Sequence, residues 1–192
     1  MNVRIDGFHG TDMKHVDSIL RDGFIPSLGD NEWLGDGAYF FVRGINEDPV
    51  AQAEQWAIID SWNNKTRKNE YDEYAVLHGV IEVDENNYLD LTEPSGIAIL
   101  DYIQEKYTDK LAEIGKNLNF IDGCIINFAR GEQIVDIRVV KGNFYIKLRK
   151  EDRVLHLLRR SPNCTICSVY SPKDNITNID VVKKGRISYE IG

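Results

Sequence analysis

The run Tyr74-Ala-Val-Leu-His-Gly-Val-Ile-Glu-Val83 constrains this chain more than any other stretch. It is almost continuously apolar and rich in β-branched residues, which suits a strand in the centre of a sheet. Such a strand needs partners, and the chain offers several. Val3 to Phe8, Ala38 to Val42, Ile134 to Val140, Asn143 to Leu148, Cys164 to Tyr170 and Ile176 to Val182 read as strands separated by turn signals. Tyr88 to Leu91 reads as a short edge after the Asn86-Asn87 turn.

Helical signals fall between them. Thr11 or Asp12 can cap a first helix with Val16, Ile19 and Leu20 on one face and Gly23 at its end. Asp48-Pro49 opens a second, continued by Ala53, Trp56 and Ala57. Ser95 caps a third, on which Ile99, Tyr102, Ile103 and Lys106 share a face. Further helical stretches run from Asp109 to Leu118 and around Cys124 to Phe128. The expected class is α+β, a mostly antiparallel sheet or pair of sheets with helices attached. At 192 residues the chain is most simply one domain, residues 1–192.

Composition narrows the setting. No apolar run approaches the length of a membrane span, and Met1-Asn2-Val3-Arg4 leads into no signal-peptide core, so a cytoplasmic protein is expected. Three cysteines make no disulfide framework. Cys164 and Cys167 form a C-x-x-C with no second pair and no nearby His, on a strand where positions three apart point to opposite faces. The net charge of −8 is unevenly spread: residues 138–192 hold twelve Lys and Arg against five Asp and Glu. That asymmetry bears on partner choice and not on fold.

Two short stretches carry the chemistry. Phe8-His9-Gly10-Thr11 closes the first strand, and Trp33-Leu34-Gly35-Asp36-Gly37-Ala38-Tyr39-Phe40-Phe41 enters the second. Strand, His-Gly-Thr, helix, Gly-Phe and Gly-x-Gly-x-Tyr-Phe in this order resemble the ADP-ribosyltransferases of the diphtheria-toxin and poly(ADP-ribose) polymerase type. The resemblance covers roughly residues 3–60 well and the remainder loosely. It implies a split antiparallel sheet core with peripheral helices, NAD as the substrate, and a His-Tyr-Glu set around it.

In that resemblance His9 hydrogen-bonds a ribose hydroxyl, and the Gly10 main chain meets the nicotinamide carboxamide. Thr11 adds a hydroxyl there, Gly37 and Ala38 approach the ligand, Tyr39 packs on the nicotinamide ring, and Trp56 supplies a second stacking aromatic. Nicotinamide cleavage passes through a cationic sugar, so positioning and charge stabilisation are the main requirements. The family's Glu begins a late strand, here Cys164 to Tyr170, which contains none. Thr165 is the nearest polar residue to take its place; Glu132 and Glu151 are other acids that nothing in the sequence brings in.

The expected function is therefore mono-ADP-ribosyl transfer to a macromolecular acceptor, protein or nucleic acid, by a toxin or defence effector. An antitoxin or immunity protein is the partner such a role implies. A non-catalytic NAD-binding module and an NAD glycohydrolase remain open beside it. His15, His78 and His156 show no ligand spacing and read as structural. Neither a phosphate loop nor a Rossmann alternation is present.

Overall fold

The structure is a computed structural model that describes residues 1–29, 32–114, 121–149, 152 and 160–188. In chain order, β1 (Asn2–Asp12) leads through a 3-10 turn at Met13–His15 into α1 (Val16–Asp22), β2 (Ala38–Val42) and α2 (Pro49–Asp60). A two-residue hairpin, β3 (Trp62–Asn63) and β4 (Lys68–Asn69), precedes β5 (Glu73–Asp84) and β6 (Tyr88–Asp90). The helices α3 (Pro94–Lys106), α4 (Thr108–Ile114) and α5 (Ile121–Gly131) follow. The chain then adds β7 (Val139–Phe144), β8 (Cys164–Val169), the one-turn α6 (Pro172–Asn175) and β9 (Ile176–Arg186).

Seven strands form one sheet in the order β6-β7-β8-β2-β1-β5-β9. Only β6–β7 is parallel; the other pairs are antiparallel. The apolar run is the heart of β5, which is flanked on both sides by eleven-residue strands.

Strand alternation gives the sheet two apolar faces. The front is covered by α2 to α5. Phe41, Val76, Val140, Cys164 and Ile166 meet Ala53, Leu100, Ile103, Leu111, Ile125 and Ile126 there. The back is smaller: Phe40, Val42, Leu77, Ile81, Cys167 and Val169 pack with Val16 of α1 and Phe24. Cys164 and Cys167 accordingly face opposite sides, both buried as free thiols whose pKa values burial pushes up, that of Cys164 to about 11.

Several sequence expectations shift. β1 does not end before His9 but continues to Asp12, because β5 supplies partners as far as Asp12↔Tyr74. Asp12, and not Thr11, caps the following turn, accepting from the Lys14 N–H at 3.0 Å. The third helix starts two residues early, with Glu93 in place of Ser95 at its N-cap. It buries Gly96, Leu100 and Ile103 while Ile99 and Tyr102 are exposed, so its apolar stripe is not the one the spacing suggested.

The stretches Ile134–Val140 and Asn143–Leu148 give a single strand, β7. The expected helix from Asp109 to Leu118 is present as α4 through Ile114, and its remainder lies outside the described residues.

Candidate active site at the parting of two strands

On its β2 side, β1 is paired only at Gly7↔Val42 and Phe8↔Phe41. Beyond Phe8 the two strands part, although β1 itself runs four residues further. His9 stands at this point. Its Nδ1 lies 2.8 Å from the carbonyl oxygen of Tyr39, so a side chain takes over where the backbone ladder stops. A carbonyl only accepts, hence Nδ1 must carry the proton, and in the neutral ring Nε2 is left as an acceptor. Burial lowers the His9 pKa from its ordinary value and outweighs the opposing influence of the Tyr39 bond and of Asp60. The ring is held edge-on to Phe24, at 5.2 Å between centroids, and 5.8 Å from Phe40.

Gly10 is a glycine because α2 crosses the front of β1 at this residue. A Cβ there would overlap the Ala53 carbonyl and stand 3.0 Å from the Ala57 Cβ. The helix is aimed by its cap: Asp48 accepts from the Ala51 N–H at 2.9 Å, and Pro49 fixes the first turn.

α2 brings Trp56 to the front face, where it and Tyr39 are both half-buried against the same core. The expected residues thus divide between two faces. Gly10, Tyr39 and Trp56 belong to the front; His9 and, by alternation, Thr11 belong to the back, with Ala38. The link across the parting is the His9 bond to the Tyr39 carbonyl.

Tyr39 is fixed by its hydroxyl as well as its ring. The oxygen accepts from the Leu34 N–H at 2.9 Å and donates to the Gly35 carbonyl at 2.8 Å. Burial is the largest of the influences that raise its pKa, so it is a neutral phenol throughout the working range. Gly37, one residue before β2, is tied to Ser27 by reciprocal backbone bonds. Trp33, just ahead of this turn, stacks on Phe144 with centroids 5.4 Å apart.

Thr165 sits at the other end of β2. It is opposite Val42, 1% exposed, and its hydroxyl accepts from the Ile45 N–H at 2.9 Å and donates to Asn143 at 2.8 Å. The β8 residue opposite Tyr39 is Ser168, whose hydroxyl donates to the Gly35 and Asp36 carbonyls, each at 3.3 Å. Glu132 is on the surface, paired with Lys110 at 3.2 Å, and Glu151 lies outside the described residues. His78 bridges Asp6 and Asp180, a structural role; His156 lies outside the described residues. Among the described residues no group of His, Cys, Asp and Glu could hold a metal ion.

Sequence reasoning missed Asn127 and Arg130 of α5, which grip the turn before Tyr39. Their one sequence signal is the spacing of two polar residues, three apart, in a helix that is otherwise apolar or glycine after Asp122.

No known protein-family model matches the chain. A protein of Methanocaldococcus jannaschii described as uncharacterized protein MJ0359 is 32% identical over 130 residues, which are 66% of this chain and 56% of that protein. The chain therefore spans little more than half the length of that relative. No described helix is long and apolar enough to cross a membrane.

Proposed function

We propose that this chain is an NAD-dependent mono-ADP-ribosyltransferase whose site lies where β1 and β2 part, in a sheet split there in the manner of that family. The observation that carries the reading is His9: a neutral imidazole, its tautomer set by the Tyr39 carbonyl, that leaves Nε2 as an acceptor beside the end of the β1–β2 ladder. An uncharged acceptor of fixed direction suits a ribose hydroxyl. Among the described residues, the edge of β1 that faces β2 has no strand partner past Phe8, so a carboxamide can pair with the Gly10 main chain as a short strand would. Thr11 adds its hydroxyl, Gly37 and Ala38 line the approach, and Tyr39 and Trp56 offer aromatic surface for the nicotinamide ring.

In this reading the bond between nicotinamide and the ribose C1′ breaks, and nicotinamide leaves with the electron pair. The cationic sugar is then captured by an acceptor nucleophile, which releases its proton to solvent. His9 and the main chain hold the sugar and amide; no acid on β8 assists, because Thr165 spends its hydroxyl on Ile45 and Asn143. Turnover is thus slow, or depends on a carboxylate that the acceptor brings. The acceptor is a macromolecule, protein or nucleic acid, which fits a cytoplasmic toxin or defence effector held in check by an antitoxin or immunity protein.

The same occupied hydroxyl favours a second reading, a module that binds NAD without cleaving it. Incubation with NAD carrying a label on the ADP-ribose half, in a cell lysate, separates the two. Nicotinamide release with label on a macromolecule supports transfer, release without label supports hydrolysis, and tight binding without release supports the module. No binding at all sinks all three.

A further inference from the structure

We propose that Arg130 and Asn127 of α5 are positioning residues for Tyr39, acting through the turn at 34–37. This rests on the reading that Tyr39 meets the nicotinamide ring. The turn is gripped from three elements at once. Asn127 accepts from the Asp36 N–H at 2.7 Å and donates to the Asp36 carboxylate at 3.0 Å. Arg130 donates from Nη1 to the Asp36 carbonyl at 2.9 Å and from Nε to the Ile137 carbonyl at 2.8 Å. Ser168 on β8 reaches the Gly35 and Asp36 carbonyls, and the Tyr39 hydroxyl closes the circuit on Leu34 and Gly35. Gly35 permits this approach: its φ is +73°, and a Cβ would stand 2.6 Å from Asn127 Oδ1.

Arg130 is poorly suited to plain scaffolding. Burial lowers its pKa to about 10, and no carboxylate forms an ion pair with it among the described residues. Its cation instead lies 4.6 Å from the centre of the Tyr170 ring, while Nη2 is buried without a hydrogen-bond partner among those residues. An apolar side chain would satisfy packing at less desolvation cost. What the guanidinium supplies is direction: two diverging donors of one rigid plane hold the Asp36 and Ile137 carbonyls at a fixed separation, which sets the turn and through it the phenol.

The chain of positioning runs from α5 to Asp36, to Gly35, to the Tyr39 hydroxyl. Removing any link leaves the ring in place by packing but free to tilt. The affinity for NAD should then fall more than the stability of the fold accounts for.

The test is NAD titration calorimetry on the folded proteins, below their unfolding midpoints, for wild type, Arg130→Met, Arg130→Lys, Asn127→Ala and Tyr39→Phe. Arg130→Met is expected to weaken NAD binding about tenfold, since it removes the charge-assisted bond to the Asp36 carbonyl by which Arg130 holds the turn. Arg130→Lys should restore part of it, since an ammonium reaches one carbonyl and not two. Arg130→Met combined with Tyr39→Phe should bind no more weakly than the poorer single variant, because both break one chain.

Asn127→Ala, which leaves the guanidinium intact, carries the test if Arg130→Met does not fold. Wild-type binding with unchanged affinity in a folded Arg130→Met or Asn127→Ala overturns this proposal alone. A wild type that does not bind NAD overturns the functional reading and this proposal with it.

Discussion

On its β5 side, β1 is paired over its whole length; on its β2 side, the ladder ends after two residue pairs. The closed side is made of residues such as Leu77, Ile81 and Val76, which are completely buried and have no polar task. The open side is made of His9, Gly10 and Tyr39, each only as well packed as its hydrogen bonds or a crossing helix allow. In the proposed reading, one strand carries stability along one edge and the ligand site along the other. Substitutions at paired positions on the two sides should therefore separate stability from ligand binding.

The widest contrast is between Leu77 and His9, which face each other across the β1–β5 ladder. Leu77→Ala empties a fully buried site and is expected to destabilise by about 3 to 4 kcal/mol, with NAD affinity of the folded fraction unchanged. His9→Ala loses one hydrogen bond and contact with two phenylalanines, about 1 to 2 kcal/mol, yet should abolish NAD binding. Urea melts paired with NAD titration read both quantities. A His9→Ala protein that fails to fold would make His9 a core residue.

A narrower contrast lies in two glycines. Gly10→Ala must push α2 off the sheet because a backbone carbonyl blocks the Cβ; a loss of about 2 to 3 kcal/mol is expected. Gly79→Ala on β5 meets only side-chain atoms, the nearest being Ile176 Cγ2 at 3.0 Å, and should lose about 1 kcal/mol or less. Equal losses in thermal melts would mean that α2 does not press on β1 as described.

The smallest effect is in pH, where two histidines should act in opposite senses. Burial holds the His9 pKa below its ordinary value, so His9's contribution to stability is full above about pH 6.5 and is lost as pH falls through the lower folded value. For His78, burial works against the charge, but hydrogen bonds to Asp180 at 3.0 Å and Asp6 at 2.9 Å outweigh it and raise the pKa. Its contribution is full below about pH 6.5 and is lost as pH rises through the raised value. His78→Gln should remove the alkaline arm of the stability profile and leave the acid arm. A profile unchanged by His78→Gln would show that the bridge across β1, β5 and β9 contributes nothing.

How much of this was legible in the chain depended on distance. The apolar run announced β5, and the Asp48-Pro49 pair announced α2, because both signals are local. The full length of β1 was hidden because Gly10 and Asp12 lack strand character, and residues 10–12 become a strand by pairing with residues 74–76. The face of α3 was misjudged because Gly96, and not a large residue, marks its buried side, where a Cβ would overlap the Asp90 carbonyl.

His9 and Tyr39 could be singled out as candidates from their order, but not the opposite faces they occupy, since β2 is set against β1 by a register that no local pattern encodes. Asn127 and Arg130 act on the turn from more than ninety residues away and leave almost no trace in sequence.

The most direct test of a ligand site at the parting of β1 and β2 is calorimetric titration of NAD into wild-type and folded His9→Ala protein under identical conditions. Binding by the wild type, weakened at least tenfold by the loss of His9, is the expected result. Equal affinity in the two proteins, or no binding by the wild type, would contradict it.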